Sequence, residues 1–254
     1  MGPTVLLLAS LSYCYMFVTK IPKGMFRVFS LIPVFYFFST LPWYFSLAVL
    51  RGVSAFFITW ITSFKLILFC FNRGPLVTGT KYIDFVALSI FPLKIIDAKP
   101  ASSMFFMGYE VVTLFNQPYL ATSLQDFWGR RWNRMSSNIL RLTVYVPTRE
   151  TLTGIVGVGP AKVVALITTL VVSGVMHEVV FYYITCGMRP TWEVTWFFVL
   201  HGLCMVFESV FRAMGWSLPF HGVIAVPLTV GFAVITGYWL LVLPVWRSGQ
   251  SRCM

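Results

Sequence analysis

The stretch PYLATSLQDFWGRRWNRMSSNILRLTVYVP, residues 118–147, is the densest polar block in an otherwise greasy chain. Within it Leu124, Phe127, Trp128, Trp132, Met135, Ile139 and Leu142 recur at helical spacing, while Asp126, Arg130, Asn133 and Ser137 fall on another face. Thr122-x-x-Gln125 and Ser123-x-x-Asp126 both look like capped helix starts. Pro118 and Pro147 bound the element. The pattern predicts an amphipathic helix lying in a membrane interface, its tryptophans at headgroup level. Gly129 disfavours helix by up to about 1 kcal/mol relative to alanine, which leaves room for a break there.

The rest of the chain makes a membrane the natural solvent. Of 254 residues, 58% are apolar and 11% are charged, whereas soluble domains carry about 25% charged residues. Runs near 3–19, 30–50, 52–71, 160–184, 192–211 and 222–243 approach the roughly 20 residues a spanning helix needs. The second carries Pro33 and Pro42, a tolerated source of bends. Stretches 82–93 and 103–115 are too short to span and read as interfacial or re-entrant. The expected fold class is therefore all-α, a polytopic integral membrane protein with an amphipathic interfacial segment. Residues 1–254 read as a single domain, since no polar linker interrupts them.

Nineteen Lys and Arg face eight Asp and Glu. The basic residues lie mostly between apolar runs, so they read as cytoplasmic flanks rather than as a nucleic-acid footprint. Lys20, Lys23 and Arg27 form such a loop, as do Arg73 and the arginines from 130 to 149. Arg247 and Arg252 then fall on the far side, which fits less well. Cys14, Cys70, Cys186, Cys204 and Cys253 are scattered, with neither a disulfide framework nor a zinc pattern. Cys253 is next to last and cannot be a prenylated CaaX cysteine. The first apolar run reads as a retained membrane segment, not a cleaved signal peptide.

Few residues carry chemistry. His177 lies in LVVSGVMHEVVFYY, where an ionisable group is costly and faces the protein interior or a watery cavity. Ser173 and Gly174, one turn back, leave space beside it. Burial disfavours a charged ring, so a neutral imidazole able to take a proton from an alcohol is expected. A purely structural hydrogen bond to another helix is the competing role. Glu178 points about 100° away on the same helix, so orienting His177 would need a bend, and Tyr182 is its expected partner. No HExxH is present, and no metal site is expected. Asn133 can donate to a developing oxyanion or simply be solvated. Arg130, Arg131 and Arg134 can hold phosphates or merely set topology. His201 and Glu208 share one face, where a packing network is the favoured reading. Lys65 is expected to snorkel to the surface, and His221 carries no signal.

These residues resemble the plant wax synthases, a branch of the membrane-bound O-acyltransferase superfamily. The likeness is strongest at PYLATSLQDFWGRRWN (118–133). It continues through ILRLTVYVP (139–147), SGVMHE (173–178) and PTWEVTWFFVLHGLC with Glu208 (190–208). SYCYM (12–16) and FKLILFCFNRGPL (64–76) resemble the family's N-terminal half.

The resemblance implies transfer of a fatty acyl group from acyl-CoA to a long-chain alcohol in the endoplasmic reticulum membrane. It implies that Asn133 and His177 are the catalytic pair, with Arg130, Arg131, Arg134, Asp126, Trp128, Trp132 and Glu178 around the substrates. Acyl-CoA is a co-substrate; no cofactor or metal is implied, and the partners are its substrates and membrane lipid. A similar branch acylates sterols, and the motifs do not separate the two. Residues 77–117 are shorter than the family's equivalent and hold no full-length span, so a shortened and inactive member is a further expectation. A membrane binding or transport protein, with Lys65, His177, Glu178 and Glu208 lining a path, is another.

Overall fold

The computed structural model describes residues 2–76, 80–95, 105–106, 109–215 and 222–247. His221, Arg252 and Cys253 lie outside them. The protein is an all-α membrane protein. Among the described residues five helical segments are long and apolar enough to cross a membrane: Met25–Tyr44, Ala48–Cys70, Val158–Ile184, Glu193–Ala213 and Gly222–Arg247. The residues group into two compact units, Met1–Val112 and Thr113–Met254. The division falls within the short central region.

In the first unit α1 spans Pro3–Met16, only 14 residues. At 1.5 Å per residue it is about 21 Å long, short of the roughly 30 Å hydrocarbon core. The first expected span is therefore too short to cross alone. Helices α2 (Met25–Ser30) and α3 (Ile32–Thr40) run into a 3₁₀ turn at Leu41–Tyr44. The chain is extended at Phe45, so the span expected at 30–50 begins and ends earlier. Helices α4 (Ala48–Ser54) and α5 (Ser63–Cys70) are joined by a π-type segment, Ala55–Thr62. Leu11, Cys14, Phe38, Leu66, Phe69 and Phe85 are among the side chains that close the core of this unit. Phe69 meets Phe85 edge-on at 5.6 Å.

Three buried cations hold the helix ends of this unit. The Arg27 guanidinium donates to the carbonyls of Thr19, Ile21 and Phe69. Arg51 donates to Phe45 and Ser46. The Lys65 ammonium donates to Leu88 at 2.7 Å, Ser89 at 3.3 Å and Phe91 at 2.8 Å. Those carbonyls end α6 (Tyr82–Ile90). Lys65, 3% exposed, does not snorkel. A C-terminal helix end offers negative partial charge and unpaired carbonyls, which satisfy the ammonium inside the protein. Arg27 is likewise buried, while Lys20 and Lys23 are exposed, so only the latter two are surface charges of that loop.

The stretch 82–93 is helical as α6. The described residues of the stretch 103–115 are not helical: Phe105–Phe106 (β2) and Tyr109–Val111 (β3) join Leu93–Ile95 (β1) in a small antiparallel sheet with β3 central. Leu93 pairs with Val111 and Phe106 with Tyr109.

The second unit is built on α10 (Val158–Ile184) and α11 (Glu193–Ala213). Two glycines bring these helices close. A Cβ on Gly174 would sit 2.8 Å from the Thr195 Cα, and one on Gly202 would sit 2.9 Å from Leu170. Small residues at a helix crossing are how membrane helices gain packing without a hydrophobic drive. Helix α12 (Gly222–Gly237) passes through a π-type turn at Tyr238–Val242 into α13 (Leu243–Arg247). Cys186 is held in a disulfide, which the scattered cysteine spacing did not suggest.

Candidate active site

The polar block is not one helix. Ser123 caps α7 (Leu124–Asp126) by accepting the Asp126 N–H at 3.1 Å. A π-type turn, Phe127–Arg131, continues it. The chain then breaks, not at Gly129, but at extended Trp132 and left-handed Asn133, whose φ is +38°. Asparagine tolerates that conformation because its short amide bonds locally. Here its Oδ1 accepts the Ser136 N–H at 3.2 Å and caps α8 (Arg134–Leu140). Nor does Pro147 end the element. A π-type turn at Arg141–Tyr145 leads into α9 (Val146–Val156), where Pro147 occupies the first turn. The widened turn relieves the proline ring's conflict with the preceding carbonyls.

Helix α11 holds this block by several contacts. The Glu208 carboxylate accepts the Leu124 N–H at 3.0 Å and the Gln125 N–H at 3.4 Å. Gln125 also bonds Ser209 and Arg212. Seven residues back along α11, His201 Nδ1 accepts the Trp128 indole N–H at 2.9 Å. Two helical turns separate these anchors, roughly 10 Å, so α7 runs beside α11 rather than across its end. His201 Nε2 lies 2.9 Å from Thr236 Oγ1 of α12. The favoured packing role of His201 and Glu208 is the one they play.

His177 is half-buried on α10, its Nδ1 2.7 Å from the Ser173 carbonyl. A carbonyl only accepts, so Nδ1 carries the proton and the lone pair of the neutral ring lies on Nε2. The imidazole packs against Phe198 with ring centroids 4.5 Å apart. Phe198 also meets Trp128 at 5.5 Å. Glu178 bonds the next helix. Its carboxylate, 5% exposed, accepts the Thr195 N–H at 3.1 Å and caps the first turn of α11.

The three arginines separate. Arg131 is clamped on Asp126 and donates to the carbonyl of Gln117 at 3.2 Å. Arg134 reaches Thr113 at 3.1 Å. The Arg130 side chain is 80% exposed and only 3.7 Å from Asp126. Trp132 stacks on Phe127 at 5.4 Å and meets Phe115 at 5.0 Å. Asn133 and His177 make no direct hydrogen bond to one another. They are linked through Ser137, whose N–H donates to the Asn133 carbonyl at 3.0 Å and whose hydroxyl donates to the Trp128 carbonyl at 2.8 Å, and then through the Trp128 and Phe198 rings. Nothing in the sequence pattern singles out Thr236, and Phe198 is covered only as part of the quoted stretch 190–204. Thr195 was legible only as a neighbour of the expected α11 start.

The block, its turn and the His177 region coincide with a known family. Residues 111–200 match the profile of the membrane bound O-acyl transferase family. The chain is 35% identical to Probable long-chain-alcohol O-fatty-acyltransferase 3 of Arabidopsis thaliana, over 94% of this chain and 87% of the relative. It is 34% identical to the Long-chain-alcohol O-fatty-acyltransferase of Simmondsia chinensis, over 95% and 88%. It is 33% identical to Acyl-CoA--sterol O-acyltransferase 1 of Arabidopsis thaliana, over 92% and 87%. The chain belongs to the membrane-bound O-acyltransferases, in their plant wax synthase branch. Its alignment with the first relative extends over 302 residues, more than the 254 it contains. This member of the family is therefore shorter than its relative within the matched span. Asn133, His177 and Glu178 fall inside the family match, while His201 and Glu208 lie beyond it.

Proposed function

We propose that this chain transfers a fatty acyl group from acyl-CoA to a long-chain alcohol, forming a wax ester. The observation that carries the reading is the orientation of His177. With Nδ1–H committed to the Ser173 carbonyl, Nε2 holds the lone pair and is the base. Nε2 takes the proton of the alcohol, and the alkoxide oxygen attacks the thioester carbon. As the tetrahedral intermediate collapses the carbon–sulfur bond breaks. The CoA sulfur leaves with the electron pair and recovers the proton from His177. Asn133 donates through Nδ2 to the acyl oxygen, its Oδ1 being held by Ser136. No cofactor or metal is called on, because the thioester already activates the acyl carbon.

Arg130 and Arg134 meet the CoA phosphates, and Trp128 and Trp132 bound the acyl path. Asp126 and Glu178 support these groups through Arg131 and the start of α11 rather than touching substrate. The membrane is that of the endoplasmic reticulum, which suits two greasy substrates and one soluble leaving group. The relative that acylates sterols supports a second reading, with a sterol as acceptor.

Membranes containing the full chain, given labelled acyl-CoA with either a fatty alcohol or a sterol, test both readings. Wax ester formation that falls by about 10²–10⁴-fold in His177→Ala is the expected result. Equal rates in His177→Ala and wild type remove His177 from the mechanism, and turnover on sterol alone changes the acceptor. Folded protein with no turnover on either acceptor marks an inactive shortened member.

A further inference from the structure

We infer that His201 is a positioning residue for His177, acting through the Trp128–Phe198 wall; this rests on the reading of His177 as the base. The direction of every proton in its contacts is fixed by elementary chemistry. The indole N–H of Trp128 can only donate, so Nδ1 of His201 must accept it. A neutral His201 then carries its proton on Nε2 and donates to Thr236 Oγ1. The Thr236 hydroxyl in turn donates a hydrogen bond to the Phe232 carbonyl at 2.6 Å. One imidazole thus ties the polar block to α11 and α12 with both nitrogens used, and it is fully buried.

Both ring nitrogens being committed, His201 has no lone pair left for a substrate proton. Its contacts lead to His177 instead. Phe197 packs on His201 at 4.2 Å and on Phe198 at 5.0 Å. Trp128 packs on Phe198 at 5.5 Å, and Phe198 packs on the His177 ring. The Ser173 carbonyl fixes one edge of His177, and the Phe198 face fixes the plane. Trp128, held by a single directed hydrogen bond, backs that face. Released from His201, the indole can turn, and Phe198 loses the wall that keeps the base aligned. Misplacement of a catalytic group by about 1 Å costs on the order of 100-fold in rate.

The test measures kcat and both KM values for His201→Leu, His201→Gln and Trp128→Phe in purified full-length protein, with thermal unfolding followed alongside. Glutamine can accept from the indole and donate to Thr236, so it should restore what leucine loses. The expected result is a kcat loss of about 10- to 100-fold in His201→Leu at unchanged KM, a kcat loss of similar size in Trp128→Phe, and His201→Gln near wild type. The Trp128→Phe/His201→Leu double variant should be no slower than the slower single variant. A wild-type kcat in His201→Leu overturns the inference, as does a folded His201→Gln no faster than folded His201→Leu, or a loss confined to KM. If His201→Leu does not fold, a wild-type kcat in Trp128→Phe overturns it alone. Failure of the underlying reading is seen separately, as a His177→Ala rate equal to wild type.

Discussion

The two units bury charge of opposite sign for the same reason. In Met1–Val112 the buried ions are cations, Arg27, Arg51 and Lys65, and each sits on carbonyls where a helical segment ends. In Thr113–Met254 the buried carboxylate of Glu178 and the partly exposed one of Glu208 sit on N–H groups where α11 and α7 begin. A helix in lipid leaves polar groups at both ends that no water satisfies. Cations suit the carbonyl end and carboxylates the amide end, by the sign of the helix dipole. The difference teaches that intramembrane charge in this chain is chiefly architecture. His177 stands apart, because its Nδ1 meets the Ser173 carbonyl within its own helix rather than a helix end.

That contrast can be broken at several points. Removing Arg27 should have the largest effect on stability. Arg27→Met strands carbonyls of Thr19, Ile21 and Phe69 in a buried setting, and a loss of about 3–5 kcal/mol is expected. Thermal unfolding in detergent reads it, and a midpoint equal to wild type would show that those carbonyls find other partners. Lys65→Met should follow at about 2–3 kcal/mol, since hydrogen bonds to a charged donor are stronger than neutral ones. In both variants kcat per folded molecule should hold, because neither cation lies in the unit that carries His177. Glu208→Gln should cost less, about 1 kcal/mol, as the amide oxygen still accepts one N–H while the charge facing the α7 dipole is lost. A greater loss there than in Lys65→Met would reverse the ranking of the two units.

How far the sequence could be read divides along the same line. Apolar length was enough for the spans at 160–184, 192–211 and 222–243, because a helix crossing lipid is specified by composition. Periodicity found the helical character of 124–142 but placed its break at Gly129, weighing propensity over conformation. The left-handed turn fell at Asn133, where a side-chain cap could stabilise it. Snorkelling fails for Lys65 because the carbonyls that receive its ammonium belong to another helix's end, which the local sequence around Lys65 does not encode. The pairing of Glu178 with Thr195 joins two helices, and no local pattern encodes which residue of the next helix arrives. His201 and Glu208, seven apart on one helix, were legible as a packing face because that relation is local.

The finest test lies between two neighbouring arginines that composition alone treats as equal. Arg131 is spent on Asp126 and on backbone carbonyls of the turn before α7, so Arg131→Ala should lower the unfolding midpoint. Arg130 is mostly in solvent, with its guanidinium at the edge of the same carboxylate. Arg130→Ala should leave that midpoint unchanged and raise KM for acyl-CoA a few-fold. The rise should shrink as salt is added, because a Debye length of about 10 Å at 0.1 M screens an exposed charge from its phosphate. The two variants therefore test whether Arg131 builds the block while Arg130 meets the substrate. An Arg130→Ala protein with wild-type KM at low salt, beside an Arg131→Ala protein with raised KM and an unchanged midpoint, would invert their roles and move the phosphate contact inward toward Asp126.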